Sequence, residues 1–356
     1  MIFLAKPRLC AMLAGGKRLF QYATVMLFMT LGSVVYAQTQ KGGIAGAVTE
    51  GSTLERSISE WLIRIHEASR RRAYVGTFVV SAGGSLSSSR IWHVCDGEQQ
   101  MERVESLTGT PRATFRRNDQ VITFLPESHV AVNEKRESLS LFPNLLQTKD
   151  TSIAQFYRVK GAGHERVAGF DADVIQLLPR DNWRFGYRVW AEKKTGLVVK
   201  LQTLEGNDQV LEQASFSELQ LDAPVSMNRL ELMMGNTEGY QIIKPELVKT
   251  TAAAQGWVLK SAVPGFKTMN CYKRPVVGGA ESQQEATMQW IFSDGLASVS
   301  IFIETFNAKQ HGQPGQASQG ATSILKRHMG DWWLTVVGEV PPHTLVAFAQ
   351  GLERTK

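Results

Sequence analysis

Three short runs in this 356-residue chain carry the residue types of an acylating serine enzyme. Ser323-Ile324-Leu325-Lys326 has the S-x-x-K spacing that can set a lysine amine beside a serine hydroxyl. Ser293-Asp294-Gly295 approximates S-D-N, and Lys194-Thr195-Gly196 matches K-T-G. In enzymes built on this set the S-x-x-K run precedes K-T-G, whereas here the order is reversed. Asp294-Gly295 and Thr195-Gly196 also stand where hairpin turns are needed, which accounts for their composition without catalysis. The chain has no G-x-S-x-G, no Walker A loop and no G-x-G-x-x-G. We read it as a protein without a catalytic centre.

Two other groupings invite chemistry. His93, Cys95 and Asp96 lie at strand spacing, so His93 and Cys95 share a face, but no second half-site completes a metal set. A histidine packed beside a structural cysteine is the alternative reading. Arg70, Arg71 and Arg72 could dock an anion, or could simply favour the negative end of a helix dipole. No cofactor is expected from either.

The elements that would position these residues follow from periodicity. Ser52 and Glu55 have capping-box spacing, and Leu54, Ile58, Trp61, Leu62 and Ile65 fall on one helical face ending at the arginine run. From residue 73 the period becomes extended: segments 73–80, 90–95, 99–104, 112–116, 121–125 and 129–133 read as short strands. Asp96-Gly97 and Asn118-Asp119 are hairpin turns, so the pairing should be antiparallel. Segments 139–147 and 151–157 suggest helices lying on the sheet. Strands resume at Arg158 and include 197–204 and 210–221, with 229–234 as the last before a linker. About eleven strands in one domain favour a strongly curved or partly closed sheet. A second domain follows, with strands at 268–273, 286–292, 297–305 and 332–337. Its helix starts at Pro341-Pro342 and buries Leu345, Val346, Ala349 and Leu352, and 311–320 reads as a polar loop.

The amino terminus sets the compartment. Lys17 and Arg18 precede a mostly apolar run from residue 19 to 35, and Val35-Tyr36-Ala37 fits a small-residue cleavage site. Export to the periplasm with cleavage after Ala37 is expected. Lys6, Arg8, Lys17 and Arg18 leave with that segment, which lowers the net charge of +6 to +2 in the mature chain. A near-neutral protein has no electrostatic footprint for nucleic acid. Cys10 leaves too, so Cys95 and Cys271 remain as a candidate disulfide, or as two separate buried thiols.

Aromatic side chains concentrate in the first domain. Trp61, Phe78, Trp92, Phe124, Phe142, Phe185 and Tyr187 are candidates to line an apolar cavity under a curved sheet, with ordinary core as the alternative.

Over most of the mature chain the sequence resembles the RseB/MucB family of periplasmic regulators of the sigma-E envelope-stress factor. The resemblance is carried by Tyr187-Arg188-Val189-Trp190, Gly196-Leu197 and the stretch 208–216 with Leu211-Glu212-Gln213. It continues through Trp257, Pro264-Gly265-Phe266 and Phe292-Ser293-Asp294-Gly295-Leu296, then Val337-Gly338-Glu339-Val340-Pro341-Pro342 with Thr344. It implies an α+β protein: a large unclosed antiparallel β-barrel with covering helices, similar to the LolA/LolB lipoprotein carriers, plus a smaller α+β carboxy-terminal domain. It also implies binding to the periplasmic segment of an RseA/MucA-like anti-sigma factor, shielding it from proteolysis, and release by lipopolysaccharide or a similar acylated ligand. Partner contacts are expected around Phe292, Asp294, Leu296, Glu339, Pro341 and Pro342. The loops 278–284 and 311–320 are longer than the family pattern.

The organisation expected is therefore a signal peptide 1–37, a flexible entry 38–51, a β domain 52–234, a linker 235–256 and a small domain 257–356. The alternative function is a periplasmic lipid or lipoprotein carrier. Homo-oligomerisation is left open by the sequence.

Overall fold

The computed structural model describes residues 57–135, 142–143, 153–245, 247–274 and 287–355. The export segment 1–37, the entry 38–51, the Ser52/Glu55 cap, most of 139–147 and the loop 278–284 lie outside the described residues. Helix α1 (Ile58–Arg71) begins at Ser57, whose hydroxyl accepts the Glu60 N–H while the Glu60 carboxylate accepts the Ser57 N–H at 2.7 Å. This reciprocal cap satisfies two donors that a helix start leaves open. Trp61, Leu62 and Ile65 form the buried face, as their spacing requires.

The first sheet is built from β1 (Tyr74–Ala82), β2 (Ser85–Cys95), β3 (Gln100–Ser106), β4 (Ala113–Arg117), β5 (Gln120–Leu125) and β6 (Val130–Lys135). After α2 (Ile153–Phe156) come β7 (Tyr157–Val167), β8 (Phe170–Pro179), β9 (Gly186–Glu192), β10 (Val198–Glu205) and β11 (Gln209–Leu221). Then follow α3 (Met227–Gly235) and β12 (Gln241–Ile243). The strand order is β12-β6-β5-β4-β3-β2-β1-β11-β10-β9-β8-β7, so β12 and β7 are unpaired edges and the sheet is unclosed. Every pairing is antiparallel except β12 with β6.

Residues 229–234 are helical, not the strand expected. The Ser226 hydroxyl accepts the Arg229 N–H, and Leu230 and Met234, four residues apart, are buried together against Met101, Phe115 and Phe124. A second apolar cluster thus forms under α3, separate from the core beneath α1. Apolar residues at 230, 232, 233 and 234 fit either period, and the serine cap decides for the helix.

The second sheet contains β13 (Val248–Lys249), β15 (Lys267–Arg274), β16 (Thr287–Ser293), β17 (Ser298–Thr305), β18 (Gly315–Gln319), β19 (Thr322–Met329) and β20 (Trp332–Gly338). Their order is β13-β15-β16-β17-β20-β19-β18. Helix α4 (Pro342–Gly351) packs on this sheet, and β14 (Trp257–Leu259) pairs with β21 (Leu352–Arg354) in a small sheet of its own. Pro342 opens α4, and Leu345, Phe348 and Ala349 enter the second core. Part of the polar stretch 311–320 is the edge strand β18, exposed along its length and held by pairing to β19. An exposed strand buries neither face, so its sequence carries no alternation to read. The linker residues contribute β12 to one sheet and β13 to the other.

Of the two alternatives for the cysteines, the structure has separate thiols and not the candidate disulfide: Cys95 and Cys271 are both free. Cys95 ends β2 in the first sheet opposite Gln100, and Cys271 lies in β15 of the second opposite Trp290, so each is committed to a different ladder. Among the described residues no helix is long and apolar enough to cross a membrane.

Candidate functional site at the domain junction

The β8–β9 loop carries Asp181, Trp183 and Arg184 into the second domain. Asp181 Oδ1 accepts the Trp183 N–H at 3.0 Å and Arg184 Nε at 2.9 Å, so the loop shapes itself before it meets its partner. Arg184 then donates from one terminal nitrogen to Asp294 Oδ2 at 2.7 Å and from the other to the Pro264 carbonyl at 2.6 Å. Its guanidinium lies 4.5 Å from the Phe156 ring centre and 5.2 Å from that of Phe266. Both charged side chains are fully enclosed.

Asp294 is the complementary hub. Its Oδ1 accepts the Leu296 and Ala297 N–H groups at 2.9 and 2.7 Å, closing the β16–β17 turn, and its Oδ2 also takes the Tyr157 hydroxyl at 3.2 Å. Burial pushes the Asp294 carboxyl above its usual range, opposed by Arg184 and the turn N–H groups. Burial likewise pushes the Tyr157 and Tyr187 phenols well up, so both stay neutral hydrogen-bonding groups. Gly265 is required here: at φ +83° a Cβ would stand 2.8 Å from both Arg184 and the Phe156 ring.

The rest of the junction is built on α4. Thr344, fully buried, donates its hydroxyl to the Trp183 carbonyl at 2.9 Å, and His343 Nε2 lies 2.8 Å from the Asn182 carbonyl. The Trp183 ring packs against the second core, and Leu296 in turn enters the first. Each domain therefore plugs a side chain into the other.

These positions explain several of the residues singled out by sequence. Phe292 is core, against Trp290 and Phe348 at 4.7 and 4.9 Å. Asp294 and Leu296 are interdomain contacts, Pro341 is the buried cap of α4, Glu339 is half-buried between β20 and α4, and Pro342 is exposed. Arg184, Trp183 and Tyr157 were missed. A charged residue flanked by aromatics in a hairpin loop was the available signal, but sequence does not reveal that its counter-ion stands 110 positions away.

The cavity candidates divide among sites. Trp61, Phe78, Phe142 and Tyr187 belong to the core under α1, where Phe142 lies 5.5 Å from Phe78 and 5.0 Å from Phe216. Trp92 and Phe124 belong to the cluster under α3, with Arg103 stacked on Trp92 at 4.6 Å, and Phe185 is buried beside Arg184 in sequence. Two open surface pockets of about 660 and 490 Å³ are lined by other residues, the larger along α1 by Arg64, Arg71 and Arg72 with Glu60, Glu67 and Asp222.

The apparent catalytic runs are structural. Ser323 is buried on β19 with its hydroxyl 3.3 Å from Ser318, while Lys326 is exposed. Ser293 caps its own turn by donating to the Ala297 carbonyl at 2.9 Å, and Glu192 holds the Lys194-Thr195 turn through both backbone N–H groups. His93 is fully buried, stacked on Tyr74 at 4.8 Å, and its Nδ1 donates to the Arg72 carbonyl at 2.8 Å. Burial lowers its affinity for a second proton. Among the described residues no group of three His, Cys, Asp or Glu side chains is arranged to hold a metal ion. The arginine run is also engaged: Arg72 pairs with Asp222 at 3.2 Å and Arg71 with Glu67 at 3.7 Å. Arg70 reaches the Gln100 side-chain oxygen at 2.8 Å when that amide faces it.

The match to known proteins spans both domains and the junction. Residues 57–234 match the MucB/RseB N-terminal domain and 251–353 the MucB/RseB C-terminal domain. The sigma factor AlgU regulatory protein MucB of Pseudomonas aeruginosa is 28% identical over 300 residues, covering 82% of this chain and 89% of that protein. The sigma-E factor regulatory protein RseB of Escherichia coli K12 is 21% identical over 295 residues, covering 82% and 89%. The crystal structure of MucB in complex with MucA(peri) aligns with a TM-score of 0.63 at 25% identity, over 84% of this chain and 99% of that one. The chain belongs to the MucB/RseB family, whose members are regulatory proteins and not enzymes.

Proposed function

We propose that this protein is a periplasmic negative regulator of a sigma-E-type envelope-stress pathway. It binds the periplasmic segment of a membrane anti-sigma factor, keeps that segment from proteolysis, and releases it when lipopolysaccharide or a similar acylated ligand binds. The supporting observation is the alignment of both domains with a MucB chain solved in complex with MucA(peri). The amino-terminal apolar run ending at Ala37 supports export and cleavage there.

A regulator of this kind needs two states that the two ligands favour differently, and the coupling must be reciprocal. The junction supplies the element on which they act. Asp294 and Leu296 face the first domain, so a partner gains access to them when the junction rearranges. An acyl chain entering the first domain meets the Phe78, Phe142 and Phe216 rings.

The test is calorimetric titration of the mature chain with the periplasmic segment of its host's anti-sigma factor, with and without lipopolysaccharide. Binding that lipopolysaccharide weakens is the expected result. A mature chain that holds an acyl ligand yet ignores the segment would instead be a carrier.

A further inference from the structure

Two exposed leucines stand together at one end of the first sheet. Leu86 follows the Gly83-Gly84 turn of the β1–β2 hairpin and is 71% exposed; Leu107 opens the β3–β4 loop and is 52% exposed. The register that sets Ser89 opposite Ser106 continues past β3. The Leu107 N–H donates to the Ser88 carbonyl at 2.9 Å, and the Ser88 N–H donates to the Thr108 hydroxyl at 2.9 Å. Leu107 is thus opposite Ser88, on the same face of the sheet as Leu86 two residues along β2.

A lone exposed leucine needs no explanation, but this pair has cations behind it. Alternation along β2 places Arg90 and Trp92 in line with Leu86, and Arg103 of β3 lies opposite Trp92. The guanidiniums of Arg90 and Arg103 stand 5.3 and 4.6 Å from the Trp92 ring centre, so one indole orders both. Glu105, opposite Arg90, is taken by Arg103 at 2.7 Å, whereas Arg90 pairs with no carboxylate among the described residues. Segments 81–90 and 106–112 hold no aspartate or glutamate, so Arg90 and Arg112 are their only charges.

We propose that this end of the first sheet is a membrane-docking edge whose partner is an anionic phospholipid surface. Leu86 and Leu107 enter the boundary between headgroups and acyl chains, and Arg90 meets lipid phosphate. Arg90 is four residues behind Leu86, about 13 Å along the strand, so its long side chain reaches the phosphate layer while the leucines sit below it. Two leucines and one unpaired cation are too little for a stable protein interface of about 800 Å² per partner. They suit a fluid surface that moulds itself around a hairpin end. The docking edge stands apart from the junction, which separates its test from that of the regulatory function.

The experiment is co-sedimentation of the mature chain with vesicles of phosphatidylglycerol and phosphatidylcholine in equal amounts, and with vesicles of phosphatidylcholine alone. The expected result is binding to the mixed vesicles that falls as salt is raised and is weak on phosphatidylcholine. Leu86→Ser combined with Leu107→Ser should weaken binding at least about tenfold, and Arg90→Gln about fivefold. All three positions are exposed, so the melting temperature should hold. Leu232→Ser, which alters a comparably exposed leucine on α3, should leave binding unchanged. Inorganic phosphate should compete no better than chloride at equal ionic strength. Absence of binding to the mixed vesicles overturns the proposal, as does binding that the Leu86, Leu107 and Arg90 variants leave intact. Specific displacement by phosphate also overturns it, because the arginines would then form a site for a free anion.

Discussion

The guanidinium of Arg184 and the carboxylate of Asp294 meet at 2.7 Å, one from each domain, with neither side chain reaching solvent. Removing two charges from water costs more than a single contact returns unless every remaining donor and acceptor is matched. Here Asp181, Pro264, Tyr157 and the Leu296 and Ala297 N–H groups complete the set. The pair therefore specifies which faces of the two domains meet more than it adds net stability.

Breaking one side should show this asymmetry. Arg184→Met leaves a buried carboxylate without its cation and should cost about 3–5 kcal/mol in urea unfolding at neutral pH. Burial already pushes the Asp294 carboxyl up, so without Arg184 it rises further and takes a proton on acidification. The loss should then be smaller near pH 5 than near pH 7, as expected for linkage of an acid raised in the folded state. Adding Asp294→Asn to Arg184→Met should recover most of it, because asparagine keeps the oxygen that closes the turn. A double variant no more stable than the single would mean the contact matters for its shape and not its charge.

Gly265 gives a steric test of the same junction. Gly265→Ala adds a methyl that meets Arg184 and Phe156 at 2.8 Å in a left-handed backbone conformation. Strain and overpacking together should cost at least about 2 kcal/mol. Gly312→Ala, with open space around its Cβ position, should stay within about 0.5 kcal/mol of wild type. Equal melting temperatures for the two variants would contradict the packing described.

The cysteines make a redox prediction. Cys95 and Cys271 are free, and burial pushes both thiols up, so neither is an activated thiolate. The mature chain should react slowly with a thiol reagent when folded and yield both thiols when denatured without reductant. An absence of free thiol in the denatured chain would establish the bridge that the structure lacks.

Much of the architecture was legible in the sequence, for identifiable reasons. Strands such as β10 and β11 read correctly because Gly196 and Gly206-Asn207 mark their turns and each borders a buried face. Helix α4 was visible in Pro342 and the spacing of Leu345 and Ala349. Segment 229–234 failed because its apolar residues suit both periods, and β18 because an exposed edge strand has no alternation. Asp294-Gly295 was seen as a turn, and it is one. Its second role depends on Arg184, a pairing fixed by how two sheets dock and not by any local pattern.

Phe142 connects the aromatic core to the proposed acyl ligand. Its ring sits within 5.5 Å of Phe78 and 5.0 Å of Phe216, and it is buried, so Phe142→Ala should cost about 3–5 kcal/mol through lost burial and the space left behind. If an acyl chain occupies this place, the wild-type protein must first displace the ring, and the variant has that rearrangement already made. Lipopolysaccharide should therefore bind Phe142→Ala more tightly, by tenfold for each 1.4 kcal/mol of displacement cost removed. Ligand should correspondingly restore part of the lost thermal stability. Weaker binding, or no rescue on adding ligand, would make Phe142 ordinary core and move the acyl site elsewhere in the first domain.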